Sequence, residues 1–473
     1  MHNSLRKWWL ILVLIGLSGC ATYKPMPITS EAVDAGLRPP DLNEVRLEAS
    51  KFSHPLLKPV LFDDRDGISP DEAAILAVIA NPGLRAARDR RGIAKAQLLQ
   101  AGILPNPQLS FDMGIPVGGD TQGCVNSFGL GLGWNITSLI TRGACLDAAK
   151  AQVAAVDLDI AWREWQVAEA ARLHAYHLAI ARKRLMAAKR TVTFFKRLRK
   201  DVQRGVTLGV KTRLDLMTAA TGLQKANSRL IVAQATMEQE RLAFNRVLGL
   251  PALKVVPLTK DITWQMEQCP PAKTLFATAE NKRLDLLALK HGYESQEARV
   301  RMAVLAQFPR ITLGPTGGKD TDKLKTAGGE ISIELPFFDR NQGHIAVERA
   351  TRRQLLDEYT ARLFETRADI ERLIAAISAT RRQLTTIKKS LLMEKVLADN
   401  LDRAADAGQI DIFSFYEAME TFYDRQTQEI DLEQKMIDLG IALEIASGRY
   451  GFVDNPAPVS QTLRRTTTMG RPK

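Results

Sequence analysis

The chain has 473 residues, 45% of them hydrophobic and 25% charged, with 65 Lys and Arg against 53 Asp and Glu and a formal net charge of +12. That length suggests about three domains at ~150 residues each, and that basic balance suggests a nucleic-acid partner. A secretory signal and the spread of basic residues over helix faces argue against nucleic acid, and a tandem repeat replaces three domains with one elongated body.

In chain order, residues 1–19 read as a signal peptide: Arg6 and Lys7, an apolar run from Trp8 to Leu17, then Leu17-Ser18-Gly19-Cys20. The run is too short for a resident bilayer helix, which takes ~20 residues. Its last four residues resemble a bacterial lipobox. This implies cleavage before Cys20, lipidation of that cysteine and, with Ala21 following, sorting to the outer membrane. Several acyl chains anchor a protein stably where one is marginal. Residues 20–68, with scattered Pro and little periodicity, read as an extended arm leading from the anchor.

Residues 69–250 and 275–450 read as one unit written twice. In the first copy, Ser69-Pro70-Asp71-Glu72 opens a helix as a capping box with Pro at its first position. Helical sequence leads to Leu104-Pro105-Asn106-Pro107, a β-hairpin follows over 107–137, and long helical stretches run from Gly143 to Gly209 and back to Gly249. In the second copy, helical sequence leads to Phe308-Pro309 and a hairpin over 308–338. Helical stretches then run from Gly343 to Gly408 and back to Gly448. At 1.5 Å per residue the outward legs reach roughly 95–100 Å and the return legs roughly 60 Å, lengths that suit a tube of packed helices. Apolar positions such as Leu214, Met217, Leu223, Leu230 and Met237 recur at helical steps, with small residues between them for close packing. Residues 251–274 form a proline-containing connector, and 451–473, rich in Thr, Arg and Pro, read as a disordered tail.

All four strand-like runs alternate with period two. Leu109, Phe111, Met113 and Ile115 oppose Gln108, Ser110, Asp112 and Gly114; Phe128, Leu130, Leu132 and Trp134 oppose Gly129, Gly131, Gly133 and Asn135. Ile311 and Leu313 oppose Arg310, Thr312 and Gly314; Ile331, Ile333, Leu335 and Phe337 oppose Glu330, Ser332 and Glu334. A soluble sheet with one wet face has the same pattern. With an outer-membrane address, one face meets lipid and the other a water-filled lumen. Asp112, Arg310, Glu330 and Glu334 are then the lumen candidates, Trp134 a member of an interfacial girdle, and 117–125 and 316–328 the exposed loops. Four strands cannot close a barrel, because single-chain membrane barrels start at eight. A ring of two or three identical subunits would close one, and the strand count leaves both open.

Asn81-Pro82-Gly83-Leu84 through Ala101-Gly102-Ile103-Leu104-Pro105-Asn106-Pro107 resembles the opening signature of the TolC-type outer-membrane efflux proteins. Arg283-Leu284-Asp285-Leu286 and Gly329-Glu330-Ile331-Ser332-Ile333-Glu334-Leu335-Pro336-Phe337-Phe338-Asp339 resemble its second-repeat counterpart. The resemblance covers roughly 69–450. It implies a mixed α and β fold in which a homotrimer closes a twelve-stranded transmembrane β-barrel, continued by a periplasmic α-barrel of long antiparallel helices. It also implies a periplasmic adaptor and an inner-membrane transporter, driven by protons or by ATP, and no catalytic centre. In such channels acidic residues after the second helical turn narrow the tip. The matching positions here are Ser414 and Glu417, with Asp411 as an auxiliary and Asp215 at the comparable place on the first turn. Ser414 departs from the usual acid, so Glu417 carries the expectation of a ring.

The basic cluster Lys189, Arg190, Lys196, Arg197, Arg199, Lys200 and Arg204 is either a solvated helix face or a surface for acidic partner residues. His174 and His177 stand three apart on a helix, and two ligands alone make a poor metal site. No metal or cofactor is therefore expected. Cys124, Cys145 and Cys269 have no metal-ligand spacing, and Cys124 and Cys145 lie too far apart on this plan to bridge. No Ser/His/Asp constellation or phosphate-cradling loop points to an enzyme. The function expected is a passive export duct for small toxic molecules or metal ions. A duct for secreted protein, or a poreless periplasmic lipoprotein, are the alternatives.

Overall fold

The computed structural model describes residues 22–51, 54–55, 57, 62–63, 65–119, 122–260, 262, 264, 269–406 and 411–449. The signal peptide, Cys20, Gly408 and the tail lie outside the described residues. Two units are distinguished, up to Pro39 and from Pro40 onward. In the first, Thr29 caps α1 (Ser30–Leu37), its hydroxyl accepting from Ala32 N at 3.2 Å, and no residue of the helix is buried.

The second unit starts with α2 (Leu42–Lys51), which buries Val45 and Ala49 against the next helix. The arm expected to be extended therefore holds two short helices. Their 8 and 10 residues are too few for a helical period to stand out.

Each repeat then has the same six elements. The first contains α3 (Pro70–Ala80), α4 (Pro82–Gly102), β1 (Gln108–Gly114), β2 (Ser127–Asn135), α5 (Thr137–Thr207) and α6 (Arg213–Val247). The second contains α7 (Ala272–Lys282), α8 (Leu284–Leu305), β3 (Ile311–Lys319), β4 (Lys325–Ile333), α9 (Gln342–Asp406) and α10 (Ile412–Ser447). With 71 and 65 residues, α5 and α9 extend on the order of 100 Å at 1.5 Å per residue. Small side chains let these legs approach closely. On α6 the buried stripe is Ala219, Gly222, Ala226 and Ala233, at steps of three, four and seven, while Leu214 and Met217 stay exposed.

The repeats match in detail where each return leg ends. Asn81, between α3 and α4, donates its side-chain amide to Val247 O at 3.0 Å. Arg283, between α7 and α8, donates to Ala446 O at 3.1 Å. Both acceptors are last-turn carbonyls that lack a helical partner. Two residues beyond each stands a left-handed glycine, Gly249 (φ 68) and Gly448 (φ 62). A Cβ on Gly249 would come within 2.9 Å of Ala80 O, and one on Gly448 within 3.0 Å of the Arg283 side chain. Both the backbone conformation and the space require glycine there.

Candidate duct: the sheet, the helical tip and the joint between repeats

The four strands form one antiparallel sheet in the order β1-β2-β3-β4. Leu109, Phe111 and Met113 stand opposite Leu132, Leu130 and Phe128, and Leu313 and Ile311 opposite Ile331 and Ile333. Trp134 pairs with Leu313, which continues the apolar face across the middle of the sheet. The opposite face carries Ser110 against Gly131, Asp112 against Gly129, and Glu330 against Gly314. Among the described residues no helix covers either face. Phe111 is 66% exposed and Ile331 68%. A row of large apolar side chains left open to the outside is what a lipid-facing strand requires and a soluble sheet avoids. Nine residues in each of β2, β3 and β4 also match the ~9–11 of a tilted membrane strand.

The second hairpin is longer than its sequence suggests. Residues 316–319 and 325–328, read as loop, continue the ladder, which closes in a turn over 320–324. Their Gly and Thr give no apolar alternation, so period two could not reveal them. β4 ends at Ile333, short of Phe337, and Glu334 lies just past it, N to Arg310 O at 3.0 Å and carboxylate to Arg310 at 3.6 Å. Trp134 donates its indole N–H to Pro105 O at 2.9 Å. Among the described residues Cys145 and Cys269 form no disulfide.

At the far end, α5 turns into α6 through Gly209 (φ 74), and Val210 N and Lys211 N close on Gly205 O. Asp215 completes a capping box with Thr212, accepting from Thr212 N at 2.7 Å. Asp411 caps α10, accepting from Ser414 N at 2.9 Å and from the Ser414 hydroxyl at 2.6 Å. The Ser414 side-chain and backbone hydrogen bonds hold the Asp411 carboxyl below its ordinary value. Glu417 is exposed one turn on, with no ion pair among the described residues. Behind these caps Phe195 and Phe415 are fully buried, with the partly buried Tyr416 and Tyr423 packed against them, and Gly222 lets the Phe195 and Tyr416 rings approach α6. The basic cluster from Lys189 to Arg204 is exposed, with Asp201 pairing Arg197 at 3.8 Å and Arg204 at 3.6 Å.

A further set of residues joins the repeats and carries no local signal. Along the antiparallel pair α5 and α10, Arg172 meets Glu444 at 3.1 Å, His177 meets Asp438 at 2.6 Å, Lys183 meets Glu433, and Arg184 meets Asp431 at 2.5 Å. Nearer the tip, Arg229 of α6 meets Glu420 at 2.8 Å and Asp424 at 3.0 Å, with Lys225 on Glu420 at 3.4 Å. Arg172 also holds Glu169 at 2.9 Å and Asp71 at 3.2 Å. One guanidinium facing three carboxylates cannot balance them. Burial, with the Glu169 charge beside it, pushes Glu444 up to about 7 against the opposing pull of Arg172, and burial raises Glu169 as well.

An uncovered four-stranded sheet joined to helices of such length, built twice over, has the form of a channel subunit; among the described residues no helix is long and apolar enough to cross a membrane. The sequence model of the outer membrane efflux protein family matches residues 76–250 and 275–449, which coincide with the two structural repeats. The chain belongs to that family. It is an outer-membrane efflux channel protein, and the family consists of ducts rather than enzymes. The cobalt-zinc-cadmium resistance protein CzcC of Cupriavidus metallidurans is 24% identical over 375 residues, 74% of this chain and 83% of that protein. The fold is shared with the Campylobacter jejuni CmeC outer membrane channel (TM-score 0.70, 16% identity, 87% of this chain and 92% of that one). It is also shared with CusC (TM-score 0.68, 16% identity, 84% and 97%) and with the outer-membrane channel OprN (TM-score 0.69, 16% identity, 91% and 98%).

Proposed function

We propose that three copies of this chain, each anchored through Cys20, close a twelve-stranded barrel in the outer membrane and form the passive exit duct of a tripartite efflux system. The observation that carries this reading is the bare, two-sided sheet with β1 and β4 as its outer strands. Unpaired edges cannot face lipid, so the sheet must close on copies of itself. With four alternating strands per copy, β4 of one copy meets β1 of the next antiparallel, and head-to-tail contacts complete a ring. Asp112 and Glu330, with Arg310 and Glu334 at the lower end, then line the lumen. Glu417, helped by Asp411, forms the acidic constriction at the tip, while Asp215 and Ser414 serve chiefly as caps. A periplasmic adaptor and an energised inner-membrane transporter, proton-driven in the first instance, supply the cargo. The cargo is small toxic solutes, and divalent metal cations are the first class to test, because CzcC is named for resistance to three of them.

A strain lacking the gene should become sensitive to cobalt, zinc or cadmium salts, or to dyes and antibiotics, and regain resistance with the wild-type gene. An unchanged profile with the protein confirmed as expressed would reject small-molecule efflux and favour protein export. For the tip, the reconstituted Glu417→Ala channel should lose cation selectivity. Unchanged conductance and selectivity would remove Glu417 from the constriction.

A further inference from the structure

Midway along α5 the structure adds a third ligand to a pair that looked insufficient in sequence. His174 and His177 of α5 and Glu240 of α6 each offer an atom, and these atoms lie within 4.8 Å of one another. Glu240 Oε2 stands 3.5 Å from His174 Nδ1 and 3.6 Å from His177 Nδ1. Those separations are long for hydrogen bonds, and both His174 Nδ1 and Glu240 Oε2 are buried atoms with no hydrogen-bond partner. They match the edge of a tetrahedron around a small cation, about 3.4 Å for ligand bonds of ~2.1 Å. The remaining imidazole nitrogen of His177 is taken up by α10: Nε2–H donates to Asp438 Oδ1 at 2.6 Å. That bond commits Nε2 to Asp438 and leaves Nδ1 as the ring nitrogen facing the cluster, the arrangement of a carboxylate behind a metal-bound histidine.

We propose that His174, His177 and Glu240 form a binding site for a borderline divalent transition cation such as Zn2+ or Co2+, with Asp438 as its positioning residue. Two imidazoles and one carboxylate suit that class, and three protein ligands leave one position for water. The ion would tie α5 to α6 directly and to α10 through Asp438. It is a resident site in the helical wall, independent of what the duct carries.

The test is Co2+ and Zn2+ titration of the purified, detergent-solubilised mature protein, stripped of metal and without a polyhistidine tag. Wild type should bind one ion per chain, with Co2+ giving the absorption of a four-coordinate ion and Zn2+ raising the melting temperature. His174→Ala with His177→Ala should abolish binding, and Asp438→Asn should weaken it about 10–100-fold. Should the double variant misfold, X-ray absorption of Zn2+-loaded wild type decides: two imidazole nitrogens and a carboxylate oxygen at ~2.0–2.1 Å support the site. Oxygen-only scattering, no binding by wild type, or equal binding by a folded double variant would each overturn it.

Discussion

The two repeats share a plan and divide the charge where they meet. Each ends its return leg on a left-handed glycine beneath a side chain from the junction of its two short helices, Asn81 in the first and Arg283 in the second. Along the seam the symmetry fails: α5 and α6 present Arg172, His177, Lys183, Arg184 and Arg229, while α10 presents Glu444, Asp438, Glu433, Asp431 and Glu420. Two identical copies could not form that joint, because α6 carries Val232, Gln234, Gln239 and Asn245 where α10 carries Asp431, Glu433, Asp438 and Glu444, and the cations of α5 would meet no carboxylates. Duplication supplies the legs, and divergence in charge makes one wall out of them. The charge also fixes register, since sliding α10 by one turn would separate every pair.

The joint is strongest where it is buried, and its perturbations should rank in that order. Arg172→Met leaves Glu169 and Glu444 buried beside Asp71 with no cation. Breaking a buried pair in this way costs about 3–5 kcal/mol, readable as a large drop in thermal stability. Adding Glu169→Gln and Glu444→Gln should recover most of it, and no recovery would mean that packing rather than charge holds the site. The junctions should differ next. Arg283 is bonded to Thr366, Ala446 O and Asp285 and lies over the Trp162 ring, so Arg283→Met should cost about 1.5–3 kcal/mol or more. Asn81→Ala should cost about 1 kcal/mol, and equal costs would erase the contrast between repeats.

The pH dependence follows from Glu444. Its folded pKa of about 7 lies above the ordinary 4.5, so the folded chain holds a proton that the unfolded chain releases. The stability it contributes is complete below about 4.5 and is lost as pH rises through about 7. Glu444→Gln should therefore flatten the fall in melting temperature between pH 5 and 8. An unaltered slope would show that Glu444 is ionised throughout. The smallest effects belong to the exposed pairs: Lys183→Ala or Arg184→Ala should cost about 0.2–1 kcal/mol, vanishing in high salt.

Much of the fold was legible because its markers are local. Glycines end the legs, prolines precede the hairpins, and alternating Leu and Gly on β2 declare a strand with two unlike faces. The upper part of β3 and β4 was not, since Gly317, Gly318, Gly328 and Gly329 offer no side chain to alternate. Of the expected tip residues, Thr212 with Asp215 and Asp411 with Ser414 are engaged as caps, a use their three-residue spacing already allowed. The seam was invisible for another reason: Arg172 and Glu444 are separated by 272 positions, and their meeting depends on how two long helices are paired. The same holds for Glu240 and Asp438 around His177.

The central claim is that one face of the sheet meets lipid and the other a water-filled lumen. Spin labels placed one at a time at residues 109 to 113 of β1, in protein reconstituted into liposomes, test it most directly through collision with oxygen and with a water-soluble nickel chelate. The account predicts strict alternation, with labels at Leu109, Phe111 and Met113 favouring oxygen and labels at Ser110 and Asp112 favouring nickel. Nickel access on both faces, or no alternation, would contradict it and return the sheet to water.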